Sequence, residues 1–212
     1  MKDTVNPSQV TAMLRTAAGQ IRARHQLLTD LDSVTGDGDH GTAMLRSMDA
    51  LEQTMDAMPE AELKEVLAKS GWAVMSAAGG STGPLLGTFF IGMGASLGEA
   101  GQLDGAALSA MIRRGVTEMQ KHTQARIGDK TMMDALLPAV ATLEQHDEST
   151  PPARLLQLAA ESAALGAEQT KDMLAKFGRA RNLGDRVLGH ADPGATSMAL
   201  ILAGFAEALN ES

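Results

Sequence analysis

The sequence predicts an all-α fold, and three observations support this prediction. Apolar residues recur at helical spacing in eight segments that cover most of the 212 residues. Aromatic residues make up only 2% of the chain and Met occurs 14 times, which suits closely packed helices better than strands. No segment is long enough to act as a linker between two domains. We therefore expect a single helical domain over residues 1–212.

Four helices are predicted in the first half of the chain. Asn6-Pro7 is typical of a helix cap followed by a first-turn proline, and this helix should end near Thr29. Pro84 is expected to open the fourth helix in the same way. Glycines inside that helix are costly unless a neighbour packs close, so a strand at Thr88–Met93 is the less favoured alternative. The second, third and fourth helices are predicted at about Gly41–Met58, Glu62–Ala77 and Leu85–Leu97.

Four more helices are predicted in the second half. They run from the cap Asp104 to about Thr123, and then over about Met132–Gln145, Ala153–Leu174 and Thr196–Leu209. Lys176–Asp192, before the last helix, is the longest stretch without clear periodicity. Long irregular loops in small domains often bind ligands, and this one is rich in arginine, although solvated surface arginines are the commoner case.

Composition excludes several classes of function. The formal net charge of −8 argues against binding to nucleic acid or to an anionic membrane surface. The absence of cysteine excludes disulfides, a thiol nucleophile and thiolate metal sites. The N-terminal residues have no apolar signal region, so a cytoplasmic location is expected.

The segment from Asp32 to Met44 is the main candidate site. Asp32, Asp37 and Asp39 lie within eight residues, among glycines, and a helix is expected to start at Gly41. Carboxylates are suitable ligands for Mg²⁺ or Ca²⁺, and a helix N-terminus can bind a phosphate. An ordinary acidic loop with a helix cap is the simpler interpretation. An EF-hand is disfavoured because Met occupies its twelfth position, and a Walker A motif is absent.

Several short motifs together resemble the nucleotide-binding L subunit of dihydroxyacetone kinases. They occur in the order typical of that family and span nearly the whole chain. The matching segments are Leu31-Asp32, Gly36–Gly41, Gly79–Leu85, Gly87–Phe90, Gly128–Met132, Gly178–Ala180, Leu183-Gly184 and Asp192–Ser197. The resemblance implies a barrel of eight antiparallel helices, with the nucleotide in loops at one end.

The resemblance also implies roles for individual residues. Asp32, Asp37 and Asp39 would bind two Mg²⁺ ions that hold the phosphates of ADP or ATP. No residue is assigned as catalytic, because the family holds its ketone on another subunit. The residues that would surround the nucleotide are His40, Gly41, Thr42, Ala43, Ser81, Thr82, Thr123, Met132, Arg179, Asp192, Pro193 and Gly194. The family often has glycine where Thr123 stands.

The resemblance implies partners as well. A K subunit would carry the covalently bound ketone, which is dihydroxyacetone or another short ketose. In one version of the family, ADP stays bound and an M subunit of phosphotransferase type rephosphorylates it; in the other, ATP exchanges. Free-standing L chains favour the first version, whereas Gly38 with Thr42-Ala43 is more typical of the second. The resemblance is also compatible with a homodimer of this chain.

A hypothesis of another class is a non-catalytic helical protein that binds a partner and is stabilised by Ca²⁺. It explains the three aspartates. It does not explain why the serine, threonine, arginine and Asp-Pro-Gly motifs follow them in the family order.

Overall fold

The computed structural model describes residues 4–98, 101–146 and 150–210, and these contain eight α-helices and two 3₁₀ helices. A single isolated β-bridge joins Val5 to Leu103, and the described ranges contain no strand. The predicted all-α fold is therefore confirmed. The α-helices are α1 Pro7–Thr35, α2 His40–Asp56, α3 Leu63–Ala77, α4 Thr82–Ala95, α5 Gly105–Gln120, α6 Met133–Gln145, α7 Pro152–Gln169 and α8 Pro193–Asn210. The 3₁₀ helices are Thr170–Asp172 and Ala180–Val187.

The eight α-helices form a closed ring. Each helix packs on the next one along the chain, and α8 packs on α1. Neighbours joined by short connections run antiparallel, which is the predicted barrel. No helix among the described residues is both long and apolar enough to cross a membrane. The interior is filled by fully buried side chains that include Met13, Leu14, Met44, Met48, Leu51, Phe89, Phe90 and Phe205.

The glycines of α4 are explained by close helix packing. A Cβ atom on Gly87 would lie 2.5 Å from the carbonyl oxygen of Gly71 on α3. A Cβ atom on Gly92 would lie 2.7 Å from the carbonyl oxygen of Arg114 on α5. The backbone of α4 therefore touches both neighbouring helices, which offsets the low helix propensity of glycine. The segment is helical, and the alternative strand at Thr88–Met93 is wrong.

Several predicted helix ends are wrong, and the differences matter for the site. Helix α1 continues past Thr29 to Thr35, because the helical backbone extends beyond Leu28 over mostly exposed and partly buried residues that show no apolar periodicity. Helix α4 begins at Thr82, so Pro84 is its third residue and does not open it. Helix α7 ends at Gln169, and the chain then turns through the first 3₁₀ helix.

Candidate functional site

Three carboxylates meet at one end of the barrel. Asp32 lies in the last turn of α1, and Asp37 and Asp39 lie in the short connection to α2. One ligand atom from each of the three side chains lies within 4.8 Å of the others. Asp39 precedes α2, but its side chain makes no capping hydrogen bond, so the simple helix-cap interpretation does not account for it. Hard oxygen donors at this spacing can share a divalent cation.

The backbone around the cluster is shaped by glycine at two positions. Gly38 has φ +77°, a conformation that residues with a side chain rarely adopt. Gly41 lies where α2 crosses α1, and a Cβ atom there would be 2.2 Å from the carbonyl oxygen of His25. The backbone N–H of His40 donates to Oδ2 of Asp32 at 3.1 Å. These contacts place the start of α2 directly against the last turn of α1.

His40 connects the N-terminal parts of three helices. Its Nε2 lies 3.2 Å from Oγ of Ser197 in α8, and its Nδ1 lies 3.5 Å from Oγ1 of Thr82 in α4. The side chain is buried. Burial lowers the pKa of His40 below its ordinary value, although the nearby Asp32 and Asp39 carboxylates oppose this effect. The ring is therefore neutral at pH 7 and has protein partners on both nitrogens.

The other residues predicted to bind the nucleotide at the starts of α2 and α4 differ in their exposure to solvent. Thr42 and Ser81 are exposed and Thr82 is half-buried, so a ligand can reach all three. Ala43 is buried, and its N–H donates to the carbonyl oxygen of Asp39 at 2.9 Å. Because His40 touches Thr82, the structure brings the first turns of α2 and α4 together beside the acidic cluster.

The start of α8 is held by Asp192. Its Oδ2 accepts from the N–H of Ala195 at 2.7 Å, which is a helix-capping contact. A Cβ atom on Gly194 would lie 3.5 Å from the backbone nitrogen of Met132, so Pro193-Gly194 and the buried Met132 are neighbours. Burial raises the pKa of Asp192 to about 7, although the Ala195 N–H and the Lys130 ammonium work in the opposite direction.

Arg179 contacts the acidic cluster, whereas the contacts of Thr123 are with other residues. The guanidinium of Arg179 forms an ion pair with Asp37, which brings the arginine-rich segment onto the acidic cluster. Thr123 lies in a cleft of about 670 Å³. Its hydroxyl accepts from the N–H of Ala125 at 3.1 Å. The cleft is lined by Gln120, Thr123, Gln124, Ala125, Arg126, Asp129 and Phe177.

Sequence reasoning did not single out two buried charged residues near the site. Lys130 is buried with φ +58°, and its ammonium donates to the carbonyl oxygens of Thr170 and His190. Asp134 is buried in the first turn of α6 and accepts from the N–H groups of Gly128 and Thr131 at 2.6 and 2.7 Å. Lys130 lies within one of the family-like motifs, but neither its burial nor its backbone conformation is visible in the sequence.

Comparisons with known proteins agree with the geometry. Residues 34–207 match the DAK2 domain. The ADP-binding subunit DhaL of the PEP-dependent dihydroxyacetone kinase of Escherichia coli (strain K12) is 34% identical over 211 residues, which cover 98% of this chain and all of that subunit. The D-erythrulose kinase of Mycolicibacterium smegmatis is 40% identical over 175 residues, which cover 80% of this chain and 30% of that kinase.

A solved structure has the same fold. The crystal structure of the C. freundii dihydroxyacetone kinase in complex with AMP-PNP and Mg²⁺ aligns with a TM-score of 0.73 and 25% identity, over 98% of this chain and 35% of that one. These relatives are kinases or kinase subunits, and none supports the non-catalytic hypothesis. The resemblance stated from the motifs is confirmed: the chain belongs to the DAK2-domain family, as a DhaL-type subunit of a dihydroxyacetone kinase, a phosphotransferase.

Proposed function

We propose that this subunit holds ADP or ATP through two Mg²⁺ ions and passes the phosphoryl group to a ketone on a separate K subunit. The observation that carries the proposal is the cluster of Asp32, Asp37 and Asp39, whose ligand atoms lie within 4.8 Å of one another beside the first turns of α2 and α4. We further propose that residues 1–212 form one nucleotide-binding domain.

The residues of the cluster fit magnesium. All three are carboxylates, which are the hard donors that Mg²⁺ prefers, and the carboxylate of Asp39 is not used to cap α2. Asp32, Asp37 and Asp39 would hold Mg²⁺, which would supply positive charge to offset the charge of the phosphates. Three carboxylates compensate the charge of two such ions only in part, so the site would still attract a polyphosphate.

The remaining residues would position the nucleotide. The first turns of α2, at His40–Ala43, and of α4, at Ser81-Thr82, would offer N–H groups and hydroxyls to the phosphates. Arg179 already lies against Asp37 and would contact the same phosphates. Met132, with Asp192, Pro193 and Gly194 beside it, would pack against the base, and Thr123 would lie at the edge of the site.

Of the two donor versions, we favour ADP that stays bound and is rephosphorylated by an M subunit. The named relatives that align over 86% or more of their own length are PEP-dependent or PTS-dependent ADP-binding subunits from Listeria innocua, Escherichia coli and Lactococcus lactis. Their names support this version for the present chain.

A second candidate substrate is a four-carbon ketose. The relative with 40% identity is a D-erythrulose kinase, and two L-erythrulose kinases are 34% identical. Because the ketone would be bound by the K subunit, the choice between dihydroxyacetone and erythrulose depends on that partner and not on the residues described here.

Mass spectrometry of the purified protein, with no nucleotide added, tests the donor. Stoichiometric ADP that survives gel filtration would support the bound-ADP version. An empty protein that binds Mg–ATP reversibly would favour exchange, and failure to bind either nucleotide with Mg²⁺ present would refute the proposal.

The metal assignment is tested with Asp37→Asn. We expect this variant to lose Mg²⁺-dependent ADP binding in calorimetry, because it removes one of the three carboxylate ligands. Asp30→Asn is the matched control, since Asp30 is an exposed aspartate of α1 outside the cluster. ADP affinity of Asp37→Asn equal to that of the control would contradict the assignment.

A further inference from the structure

The segment between α7 and α8 is a loop whose two ends are joined by hydrogen bonds, and we call these joined ends its neck. At one side of the neck are Thr170 and Lys171, and at the other are Gly189 to Asp192. The N–H of Gly189 donates to the carbonyl oxygen of Lys171 at 2.8 Å, and the N–H of Asp192 donates to Oγ1 of Thr170 at 2.8 Å. We call residues 170–192 the clasped segment.

The far part of the clasped segment reaches the acidic cluster. Its 3₁₀ helix Ala180–Val187 packs against α1, and the guanidinium of Arg179 pairs with Asp37. Lys176 also holds the clasped segment to Asp129 through two hydrogen bonds. Its N–H donates to the carbonyl oxygen of Asp129 at 3.1 Å, and its ammonium donates to Oδ1 at 2.7 Å. The clasped segment therefore carries both Arg179 and Asp192 to the site from a single neck.

Lys130 spans that neck. Its ammonium donates to the carbonyl oxygen of Thr170 on one side and to that of His190 on the other, at 2.5 Å each. The carboxylates of Asp192, Asp134 and Asp172 act on this ammonium electrostatically. Lys130 is only 2% exposed, and this burial lowers the pKa of its ammonium, whereas the three carboxylates oppose that shift.

The choice of lysine at this position needs an explanation. A residue with a side chain at φ +58° is strained, and a buried ammonium is costly. Glycine would relieve the strain, and an apolar side chain would avoid the buried charge. Neither replacement could join the two carbonyls across the neck, because that requires a long side chain that ends in several N–H donors, as the lysine ammonium does.

We propose that Lys130 is a positioning residue for the nucleotide site, which acts by holding the clasped segment shut so that Arg179 and Asp192 stay in place. The proposal rests on the proposed function for its nucleotide readout. It assigns Lys130 no contact with the reacting atoms. Its effect on the nucleotide passes through the carbonyls of Thr170 and His190.

The first test is trypsin digestion of Lys130→Met, read by mass spectrometry. Arg179, Arg181 and Arg186 are exposed on the clasped segment, and cleavage there reports its opening. We expect cleavage at these arginines to be about ten-fold faster than in the unmodified chain, because local opening controls proteolysis of a native protein. Cleavage at Lys69 on α3 normalises the rates. Unchanged rates would overturn the proposal whether or not the chain binds ADP.

The second test is the Mg–ADP affinity of the same variant by calorimetry. We expect binding about ten-fold weaker, since small misplacement of positioning groups has large effects on ligand binding. Leu108→Ala is the control, because Leu108 is a fully buried residue of α5, outside the clasped segment, and its truncation lowers stability. If Lys130→Met and Leu108→Ala bind Mg–ADP equally well, Lys130 is only structural and the proposal is wrong.

A substitute variant covers the case in which Lys130→Met does not fold. Thr170→Val removes the hydroxyl that accepts from the N–H of Asp192 and keeps the shape of the side chain. The proposal predicts faster cleavage at Arg179 and weaker Mg–ADP binding in this variant too, and wild-type values for both would overturn it. Failure of the unmodified chain to bind Mg–ADP would refute the proposed function instead.

Discussion

Replacement of Gly41 by alanine should disturb both the stability of the barrel and the geometry of the acidic cluster. The added Cβ would lie 2.2 Å from the carbonyl oxygen of His25 and 2.2 Å from Oγ1 of Thr29, whereas real Cβ contacts stay above 3.0 Å. Thr29 can rotate its side chain, but the carbonyl of His25 belongs to the backbone of α1. Helix α2 must therefore move away from α1 by about 0.8 Å or more at this point.

The expected cost follows from two opposing effects. Overpacking of a tight contact costs about 1–3 kcal/mol, and this contact lies at the upper end because it meets backbone. Alanine gains up to about 1 kcal/mol over glycine in helix propensity. The net loss should be about 2 kcal/mol, which corresponds to a fall in Tm of about 4–8 °C for a chain of this size.

The same displacement should weaken nucleotide binding. Asp39 and His40 lie at the start of α2, so they would move relative to Asp32 on α1, whose Oδ2 accepts from the His40 N–H. Metal ligands tolerate only a few tenths of an ångström, so we expect Mg–ADP binding at least about ten-fold weaker. Circular dichroism melts and calorimetry measure the two effects.

Gly19→Ala is the matched control for this experiment. Gly19 lies on the exposed face of α1, and a Cβ atom there would meet nothing within 4 Å. This variant should be as stable as the unmodified chain or up to about 1 kcal/mol more stable, with unchanged Mg–ADP affinity. If Gly41→Ala behaves like Gly19→Ala in both assays, the close approach of α1 and α2 does not set the geometry of the cluster.

Two further predictions concern the carboxyl groups of Asp192 and Asp134. The folded-state pKa of Asp192 is raised from 3.8 to about 7, so its contribution to stability is greatest below about pH 4 and is lost as the pH rises towards 7. Asp192→Asn should abolish this decrease in the free energy of unfolding, and its amide oxygen can still accept from the Ala195 N–H. Urea unfolding at pH 5 and pH 8 measures the free energy of unfolding. An equal decrease in the variant would contradict the raised pKa of Asp192. Asp134→Asn should destabilise the protein by about 1–3 kcal/mol, because the amide leaves one of the N–H groups of Gly128 and Thr131 without an acceptor. An unchanged urea midpoint would show that these two hydrogen bonds contribute nothing.

The fold was predictable because helical periodicity is a strong signal in a chain with few residues that favour strands. The helix ends were not, because they depend on contacts that periodicity does not report. Helix α1 passes its last apolar core residue, Leu28, and ends only at Thr35, where the N–H of the following Gly36 donates to the carbonyl oxygen of Asp32. Asp32 is consequently presented by a rigid helix, and the sequence alone placed it in a loop.

The site was predictable to the extent that its residues cluster in the chain. Asp32, Asp37 and Asp39 are close in sequence and in space, so the acidic segment was visible at once. The contacts of His40 with Thr82 and Ser197 join residues 42 and 157 positions apart, and only the folded ring brings them together. Lys130 escaped notice because its importance comes from burial and backbone conformation, which no short motif reports.

The alternation of helix directions explains why such a site forms at this end of the ring. Going around an antiparallel barrel, helix C-termini and N-termini alternate at each end. Here the C-terminal turn of α1 contributes Asp32, and the N-terminal parts of α2, α4 and α8 meet at His40. Helix C-termini favour cations and helix N-termini favour anions, so neighbouring helices supply complementary fields. A ligand that combines Mg²⁺ with phosphate matches this arrangement, which is how a chain of net charge −8 can bind a polyanion.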